Sequence, residues 1–476
     1  TKKALEKKSF LWKSDGKTGF TIKEIDKSEI GTDITIYLND KGNEYSNRWS
    51  IQSIIKKYSD HIAFPIELHY TEEVDKKIET KIDQVNSASA FWKKTKSSLK
   101  AKDYNDFYKS LSGDTDDPMI KLHTQAEGNL VYTTLFYVPK KAPFDMFRAD
   151  YSSGIKLYIN RVFITDDDKE LMPTYLRFIK GIIDSEDLPL NVSREILQKN
   201  QILEKIKKNS VKKLLNEFKK MLNKDKKKYI EFYKQYGIPI KEGLYQDFEN
   251  KELLMDLVCF QTNKNDDFIT LEEYVSNMKK EQKSIFYLTG SNINELKNSP
   301  LLEVCNNKNI EVLLMDHEID EMVFAGLGKY KEHDFKSINH ANALEEIQGD
   351  DDTKNLDIGP FIKKVKKILG DKVKDVVSSK RLSDSPACIV ADGNDPTAQM
   401  QQLFQQMGQN MPEAKPIFEI NPSHKIIKKL NKMNKTKQFD DSVMLLFDQA
   451  KLLSNIKIED PGDFINRINK VLDKSL

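Results

Sequence analysis

The hydrophobic pattern near the start of the chain predicts strands followed by a helix. GFTIKEI (19–25) and ITIYLND (34–40) alternate apolar and polar residues with period two, and Gly31 marks a turn between them. The next apolar segment, RWSIQSIIKKYSDHI (48–62), predicts a short helix instead. These elements are too few to close a hydrophobic core, so residues 1–40 are expected to be the end of a larger domain.

The pattern changes twice between residues 66 and 222. LVYTTLFYV (130–138) and GIKLYINRVFI (154–164) are rich in aromatic and β-branched residues, which predicts strands. LMPTYLRFIKGIID (171–184) predicts a helix, and a long helix is expected over about 194–222. Apolar residues recur at helical spacing in the long helix and lysines occupy its other face, which is more typical of a solvated surface than of a nucleic-acid patch.

A strand–helix–strand unit is predicted further along. SIFYLTG (284–290) and IEVLLMD (310–316) have the composition of short buried strands, and the helical segment INELKNSPLLEVCNNK (293–308) separates them. Connections of this length join parallel strands, so a βαβ unit is expected. GDDDTKNLD (349–357) is acidic and turn-rich without apolar periodicity, which indicates an interdomain linker.

The last part of the chain begins with the predicted helix PFIKKVKKILG (360–370). KVKDVVSSKRL (372–382) and ACIVADG (387–393) predict an antiparallel pair around the turn SDSP. Three further helices are expected near 423–433, 438–454 and 461–473.

Two apolar faces mark the last two of these helices. Their members are Phe439, Val443, Leu446, Phe447, Ala450 and Leu453 on the first helix and Phe464, Ile468 and Leu472 on the second. Little sequence remains to cover them, which favours a symmetric helix-bundle interface between two copies of the chain. The alternative is a bundle formed within one chain.

Composition narrows the class of protein. A length of 476 residues indicates about three domains, and 76 Lys+Arg against 74 Asp+Glu leave a net charge of only +2. That balance argues against a protein built mainly to bind nucleic acid. No stretch is long and apolar enough to span a membrane, and no secretory signal is present. Because the first residue is Thr1, the chain is expected to be a fragment or a processed product.

Cysteine and histidine usage points to reduced thiols and no metal. Cys259, Cys305 and Cys388 are odd in number and far apart, which is typical of buried thiols in a cytosolic protein rather than of disulfides. The seven histidines show no HExxH or clustered Cys/His spacing, so no zinc site is predicted.

Arg194 is the most unusual candidate for chemistry. It stands in DLPLNVSREILQKN (187–200), at the start of a predicted helix, where the helix dipole disfavours a cation. A guanidinium beside backbone N–H groups suits a phosphate, and an arginine from a second domain can stabilise phosphoryl transfer. Gln198, four residues on, lies on the same face. The alternative is a salt bridge to a nearby acid, and the candidates are Asp184, Glu186 and Asp187.

Three other apolar features permit binding or burial. Met400, Leu403, Phe404 and Met407 have helical spacing between loop-like flanks, so they form either core or an adaptable binding face. Trp92 stands in SAFWKKTKSS, and Met322 with Phe324 stands in EIDEMVFAG. For each of these taken singly, burial in the core is the simpler interpretation.

Taken together, the segments resemble one family, the ninety-kilodalton heat-shock chaperones in their bacterial form. The matching stretches keep the family's order over nearly the whole chain, and they are KYSDHIAFPIE, FYVPKKAPFDMF, KLYINRVFITDD, LMPTYLRFIKGIIDSEDLPLNVSREILQ, YGIPIKEGLYQDFEN, IEVLLMDHEIDE, RLSDSPACIV and IFEINPSHKIIKKL. No P-loop, GxSxG or kinase signature accompanies them.

The resemblance implies a multidomain α+β and α/β architecture. It would comprise the last strands of an ATP-binding domain (1–45), a connecting segment (46–65), a middle domain of two α/β subdomains joined by helices (66–348), a linker (349–357) and an α+β dimerisation domain ending in a helix bundle (358–476). The nucleotide-binding motifs are expected upstream of Thr1, so this chain alone should neither hold ATP and Mg²⁺ well nor hydrolyse ATP.

The resemblance also implies roles in ATP hydrolysis. Arg194 matches the middle-domain arginine that reaches the γ-phosphate, Gln198 matches its helper, and Phe163 matches an apolar contact that supports docking. Thr32 matches a threonine near the nucleotide.

Client contacts are implied for a second set of residues. Trp92 falls in a flexible middle-domain loop, Glu321 and Met322 fall in a client-contact patch, and Met400, Leu403 and Phe404 form the apolar face of a client-binding helix. The sequence departs from the family pattern at Met322, where tryptophan is frequent, at Ala325, where asparagine is, and at Pro396, which delays the helix start.

The expected protein is a cytoplasmic, homodimeric, ATP-dependent chaperone. Its partners would be non-native client proteins, a second copy bound through the C-terminal helices, and chaperones of the seventy-kilodalton heat-shock class, without nucleic acid or membrane. The ending KVLDKSL lacks an acidic MEEVD-type tail, so no tail-reading cochaperone is expected. The alternatives are an ATP-independent holdase and, from another class, a nucleotide-gated DNA-repair or topoisomerase subunit.

Overall fold

A computed structural model describes residues 1–74, 77–166, 171–189, 200–347, 358–393, 395–406, 408–409, 414–433 and 436–475. Contacts divide the chain into two compact units. The first comprises residues 1–91 and 160–164, and the second comprises residues 92–159 and 165–476.

The helices are α1 (Arg48–Ser59), α2 (Ala101–Ser112), α3 (Gln201–Lys224), α4 (Lys226–Gln246), α5 (Lys251–Met255), α6 (Leu271–Asn277), α7 (Ile293–Lys297), α8 (Glu303–Asn307), α9 (Glu318–Leu327), α10 (Gly359–Leu369), α11 (Ala398–Gln406), α12 (Lys425–Lys432), α13 (Lys437–Leu453) and α14 (Pro461–Ser475). The strands are β1 (Ser9–Ser14), β2 (Phe20–Ile25), β3 (Glu67–Val74), β4 (Lys77–Gln84), β5 (Ile120–Ala126), β6 (Tyr132–Val138), β7 (Ile155–Ile159), β8 (Val162–Thr165), β9 (Lys180–Ser185), β10 (Cys259–Thr262), β11 (Ile269–Thr270), β12 (Ser284–Thr289), β13 (Leu313–Met315), β14 (Lys329–Tyr330), β15 (His333–Ser337), β16 (Asp375–Ser378), β17 (Ala387–Val390) and β18 (Ile417–Ile420).

The first unit contains two antiparallel hairpins and helix α1. β1 pairs with β2, and β3 pairs with β4. The strand predicted over GFTIKEI and the helix predicted from residue 48 are confirmed. The strand predicted over ITIYLND is wrong, because this segment has no strand partner and its apolar side chains Ile34 and Ile36 stay 80% and 74% exposed.

The second unit begins with a sheet built around a buried strand that sequence reasoning predicted as a helix. β9 pairs antiparallel with β6 and parallel with β7, so the helix predicted over residues 171–184 is wrong. A short apolar run has no periodicity that separates a buried strand from a buried helix. Gly181 fits this position because a Cβ there would overlap the carbonyl oxygen of Leu135.

Two long helices follow this sheet. α3 begins at Gln201, where Asn200 has extended backbone and its Oδ1 accepts the N–H groups of Ile202 and Leu203 at 2.8 and 3.3 Å. The helix expected over about 194–222 is therefore interrupted at Asn200, and residues 194–199 lie outside the described residues. Its predicted apolar face is confirmed, since Ile206, Leu214 and Phe218 are buried.

The predicted βαβ unit is confirmed in the next sheet, whose strand order is β11-β10-β13-β12-β15-β14. β12 and β13 are parallel, and α7 and α8 lie between them in the chain. The predicted linker 349–357 lies outside the described residues.

The C-terminal sheet has β18 in its centre, parallel to β16 and antiparallel to β17. The predicted hairpin of the two outer strands is therefore wrong. The loop between β16 and β17 is bound by Glu303 of α8, whose carboxylate accepts the N–H groups of Ser383 at 2.6 Å and Asp384 at 2.9 Å. α10, α12 and α13 cover the sheet and share one apolar core with it.

A buried arginine ties this sheet to the preceding subdomain. Arg381 is 2% exposed, and its Nε lies 3.2 Å from the carboxylate of Glu419 on β18. Its terminal nitrogens donate to the carbonyl oxygens of Ile338, His340 and Ala341 at 2.8 to 3.0 Å. The mixed α+β and α/β character expected from the sequence is confirmed, and among the described helices none is long and apolar enough to cross a membrane.

Candidate functional site

Arg194 and Gln198 lie outside the described residues, between β9 and α3. The segment that leads to them is held by acidic side chains. Asp184, at the end of β9, is fully buried and accepts the indole N–H of Trp92 at 2.7 Å. Glu186 accepts Lys93 Nζ at 2.8 Å.

Asp187 accepts the backbone N–H of Val131 at 2.6 Å. Each of the three acids proposed as a salt-bridge partner of Arg194 therefore binds a group from another segment of the chain. These contacts anchor residues 184–187 to the sheet and to the Trp92 segment.

Trp92 lies among these contacts and is buried. Its side chain is 0% exposed, and its ring centroid lies 4.8 Å from that of Tyr158 and 6.1 Å from that of Phe107. The simpler interpretation of Trp92 as a core residue is thus confirmed, because the indole fills the interior and donates to a buried carboxylate. Contact with a client would require the ring to leave this site.

His123 holds the same segment through its backbone. Its Nε2 lies 2.9 Å from the carbonyl oxygen of Trp92, and its Nδ1 lies 2.9 Å from the hydroxyl of Tyr104. Burial lowers the pKa of His123 below its ordinary value, so the neutral ring is favoured. Sequence reasoning missed this residue, because no local motif accompanies it.

Phe163 and Thr32 both lie in the first unit. Phe163 is 9% exposed, and its ring centroid lies 5.8 Å from that of Tyr58. Thr32 is exposed, and its hydroxyl lies 2.7 Å from that of Thr1.

The expected client-contact residues on α9 differ from each other in exposure. Glu321 is buried, and its Oε1 accepts the hydroxyl of Thr397 at 2.8 Å. Met322, the next residue, is half-buried. Phe324 is buried with its ring centroid 5.4 Å from that of Phe260, so the interpretation of this side chain as core is confirmed.

α11 presents an apolar face without burying any of its residues. Met400, Leu403 and Phe404 are all half-buried, and they share one side of the helix through their i, i+3, i+4 spacing. Met407 lies outside the described residues. The helix begins after Pro396, as the sequence predicts.

A cavity of about 510 Å³ opens beside the start of α11. Apolar side chains from four distant segments line it, among them Leu288, Leu296, Ile389, Phe447 and Leu453. No sequence signal could have found this cavity, since its walls come together only through the packing of the sheets.

The predicted dimer residues fall into two groups. Val443, Leu446, Phe447 and Ala450 are at most 7% exposed and belong to the core beneath the C-terminal sheet. Their assignment to a dimer interface is therefore wrong, because α10 and the sheet of the same chain already cover this face of α13.

The second group lies on α14. Phe464 and Ile468 are half-buried, and Leu472 is 49% exposed. Ile465 on the same helix is 51% exposed, and Leu453 at the end of α13 is 57% exposed. Arg467 connects the two helices through a 2.6 Å bond to Asp448. The exposed apolar surface of the C-terminal helices thus lies mainly on α14.

The described residues contain no group of His, Cys, Asp and Glu side chains that could hold a metal ion. All three cysteines are buried and free, as the sequence predicts. Burial raises the pKa of Cys259 and Cys305 to about 12, so both thiols are protonated near neutral pH and are poor nucleophiles.

Comparison with known proteins places these features in one family. The family model described as Hsp90 protein matches residues 71–476. The chaperone protein HtpG of Treponema denticola is 49% identical over 99% of this chain and 78% of its own length. Those of Helicobacter pylori and Borreliella burgdorferi are 48% and 46% identical over 100% of this chain and 78% of their own lengths. The chain therefore belongs to the Hsp90 family, in its bacterial HtpG branch.

Proposed function

We propose that this protein acts as a cytoplasmic, homodimeric, ATP-dependent chaperone that binds non-native polypeptides. The observation that carries the client-binding part is the half-buried apolar face of α11, formed by Met400, Leu403 and Phe404. A helix that packs only against its own chain normally buries such a stripe. Methionine and leucine side chains on an exposed stripe adapt to many sequences, which suits a client of undefined structure.

Met322 extends this surface. α9 and α11 are neighbours, joined by the Glu321–Thr397 hydrogen bond, so Met322 belongs to the same region of the second unit. Apolar patches on a soluble protein are typical of sites that bind other proteins. The proposed client surface is therefore Met322 with the face of α11.

ATP dependence is proposed from Arg194. In the intact protein its guanidinium would contact the γ-phosphate, with Gln198 as its helper, Thr32 near the nucleotide and Phe163 supporting the docked state. ATP with Mg²⁺ supplies the phosphoryl group. The contribution proposed for this chain is to bind and orient the phosphate through Arg194 and Gln198.

Support for this role comes from the described residues that precede Arg194 in the chain. Asp184, Glu186 and Asp187 are bound by Trp92, Lys93 and the Val131 N–H. These bonds hold residues 184–187 in place, and Arg194 follows Asp187 by seven positions in the chain.

Dimerisation is proposed through α14. Ile465 and Leu472 are about half exposed, together with Leu453 at the end of α13. A second copy related by twofold symmetry would cover the same residues on both chains.

An ATP-independent holdase is the second candidate, because the fold itself presents the face of α11. Both candidates can be tested through suppression of the aggregation of a chemically denatured enzyme by the intact protein. Replacement of Met400, Leu403 and Phe404 by serine should remove suppression, whereas serine at Gln402 and Gln405 should not. Suppression that survives the first variant contradicts the client surface, and suppression that is unchanged by ATP favours holding alone.

A further inference from the structure

The start of α11 is fixed by a threonine that forms two hydrogen bonds. Thr397 is 3% exposed, and its hydroxyl oxygen accepts the backbone N–H of Met400 at 3.2 Å. The same hydroxyl donates to Oε1 of Glu321 at 2.8 Å. Thr397 thus caps α11, and the carboxylate on α9 sets the direction of its hydroxyl.

The helix that carries Glu321 is fastened by the residue before it. The preceding residue, Asp320, is 0% exposed and forms a 2.8 Å ion pair with Lys241 of α4. The carboxylate of Asp320 also accepts the backbone N–H of His317 at the start of α9. α9 is therefore fastened to α4 immediately before it presents Glu321.

The other oxygen of Glu321 is not satisfied. Oε2 is buried and has no hydrogen-bond partner among the described residues. Burying a carboxylate with an incomplete set of partners opposes folding, so an apolar side chain would serve better if filling space were all that mattered. The remaining bond to Thr397 is charge-assisted, which makes it stronger than a bond between neutral groups.

Among the described residues, α11 makes few side-chain hydrogen bonds beyond its cap, one of them from the Gln401 amide to Ala414 O at 3.4 Å. None of its residues is buried. The Gln401 amide donates to Pro396 O at 3.2 Å, and the Gln402 amide donates to Asn455 O at 3.3 Å. The segment before the helix is anchored more firmly, since Lys374 binds Asp392 at 2.6 Å and Asp395 at 2.7 Å. The direction of α11 is thus decided at its N-terminus.

We propose that Glu321 is a positioning residue for α11, which holds Thr397 so that the face formed by Met400, Leu403 and Phe404 is presented to a client. Glu321 then acts on client binding through Thr397 and not by touching the client. This inference rests on the proposed client role of that face.

A double-mutant cycle tests the pair in the intact protein with Glu321→Met, Thr397→Val and both changes together. Hydrogen exchange of the amides of α11 is measured, together with the Kd for reduced carboxymethylated α-lactalbumin. Each single change should raise exchange in α11 by about tenfold, as expected for the loss of a cap, and should weaken Kd by several-fold. The double variant should be no worse than either single variant.

Two variants serve as controls. Thr397→Ser keeps the hydroxyl, and Glu318→Gln changes an exposed carboxylate on the same helix. Both should behave as wild type. Glu321→Gln replaces Glu321→Met if the latter does not fold, and it should give a smaller change in the same direction.

The exchange measurement decides the proposal independently of client binding. Wild-type exchange in α11 of the Glu321→Met variant, or strictly additive effects in the double variant, would overturn the positioning role. Faster exchange with an unchanged Kd would support positioning and would contradict the proposed client surface instead.

Discussion

The indole Nε1 of Trp92 donates a hydrogen bond of 2.7 Å to Oδ2 of Asp184, 92 residues further along the chain. Both side chains are 0% exposed. Asp184 is the next-to-last residue of the central strand β9. The bond therefore fixes the Trp92 segment to the end of β9, ten positions before Arg194 in the chain.

Replacement Trp92→Phe should lower the free energy of unfolding by about 1–3 kcal/mol, because it leaves a buried carboxylate without one of its donors. Chemical denaturation measures the change. Trp12→Phe is the matched control, since Trp12 lies in the first unit and is 61% exposed. Equal effects of the two substitutions would contradict the role assigned to the Trp92–Asp184 bond.

Stability should fall on acidification partly through His123. Its pKa is lowered by burial from the ordinary value of 6.5, so below that pH the unfolded chain binds a proton that the folded chain resists. The contribution is complete above pH 6.5 and is lost as the pH falls toward the lower folded pKa. The midpoint of denaturation is measured from neutral pH down through this window. It should fall less steeply with decreasing pH in the His123→Gln variant than in the wild type.

The control for this measurement is His69→Gln. The side chain of His69 is 58% exposed on β3, and its substitution should leave the slope unchanged. A slope that is the same in all three proteins would show that His123 does not contribute.

Replacement Arg194→Ala in the intact protein should lower the kcat of ATP hydrolysis by about 10²-fold or more, with little change in nucleotide affinity, because the guanidinium is proposed to contact charge that develops on the γ-phosphate. Steady-state ATPase assays and nucleotide titration provide the two measurements. Arg148→Ala, at a side chain that is 66% exposed, is the control. An unchanged turnover in the Arg194 variant would refute the role.

Replacement of both Ile465 and Leu472 by aspartate should dissociate the dimer without unfolding the C-terminal sheet, since both side chains are about half exposed. Val443→Asp should instead unfold this part of the chain, because Val443 is 1% exposed in the core. Sedimentation equilibrium and circular dichroism distinguish the two results.

Asn469→Asp, at an exposed polar position of α14, is the matched control and should remain dimeric. Persistence of the dimer at micromolar concentration after the double substitution on α14 would place the interface elsewhere.

Much of the fold was predictable wherever the apolar pattern was long and periodic. The buried face of α3, the parallel pair of β12 and β13, and the C-terminal helices follow from spacing alone. Prediction failed at β9, because a short run that is buried on all sides carries no period. It also failed for β16 and β17, because the strand between them, β18, comes from a later part of the chain.

The candidate site was predictable to a lesser extent. The apolar stripe of α11 and its start after Pro396 could be read from the residues. The exposure of single side chains could not be predicted. Trp92 stands in a lysine-rich segment and Val443 on an amphipathic helix, and either position is equally compatible with a surface or a core.

The sequence by itself determined the order and type of most elements, their apolar faces and the membership of the Hsp90 family. Only the tertiary structure decided which face meets which partner. Trp92 meets Asp184 and Glu321 meets Thr397 across 92 and 76 residues. Local periodicity shows which face of a segment is apolar. Whether a side chain on that face is buried depends on surfaces that distant segments supply, and those surfaces exist only once the chain has folded.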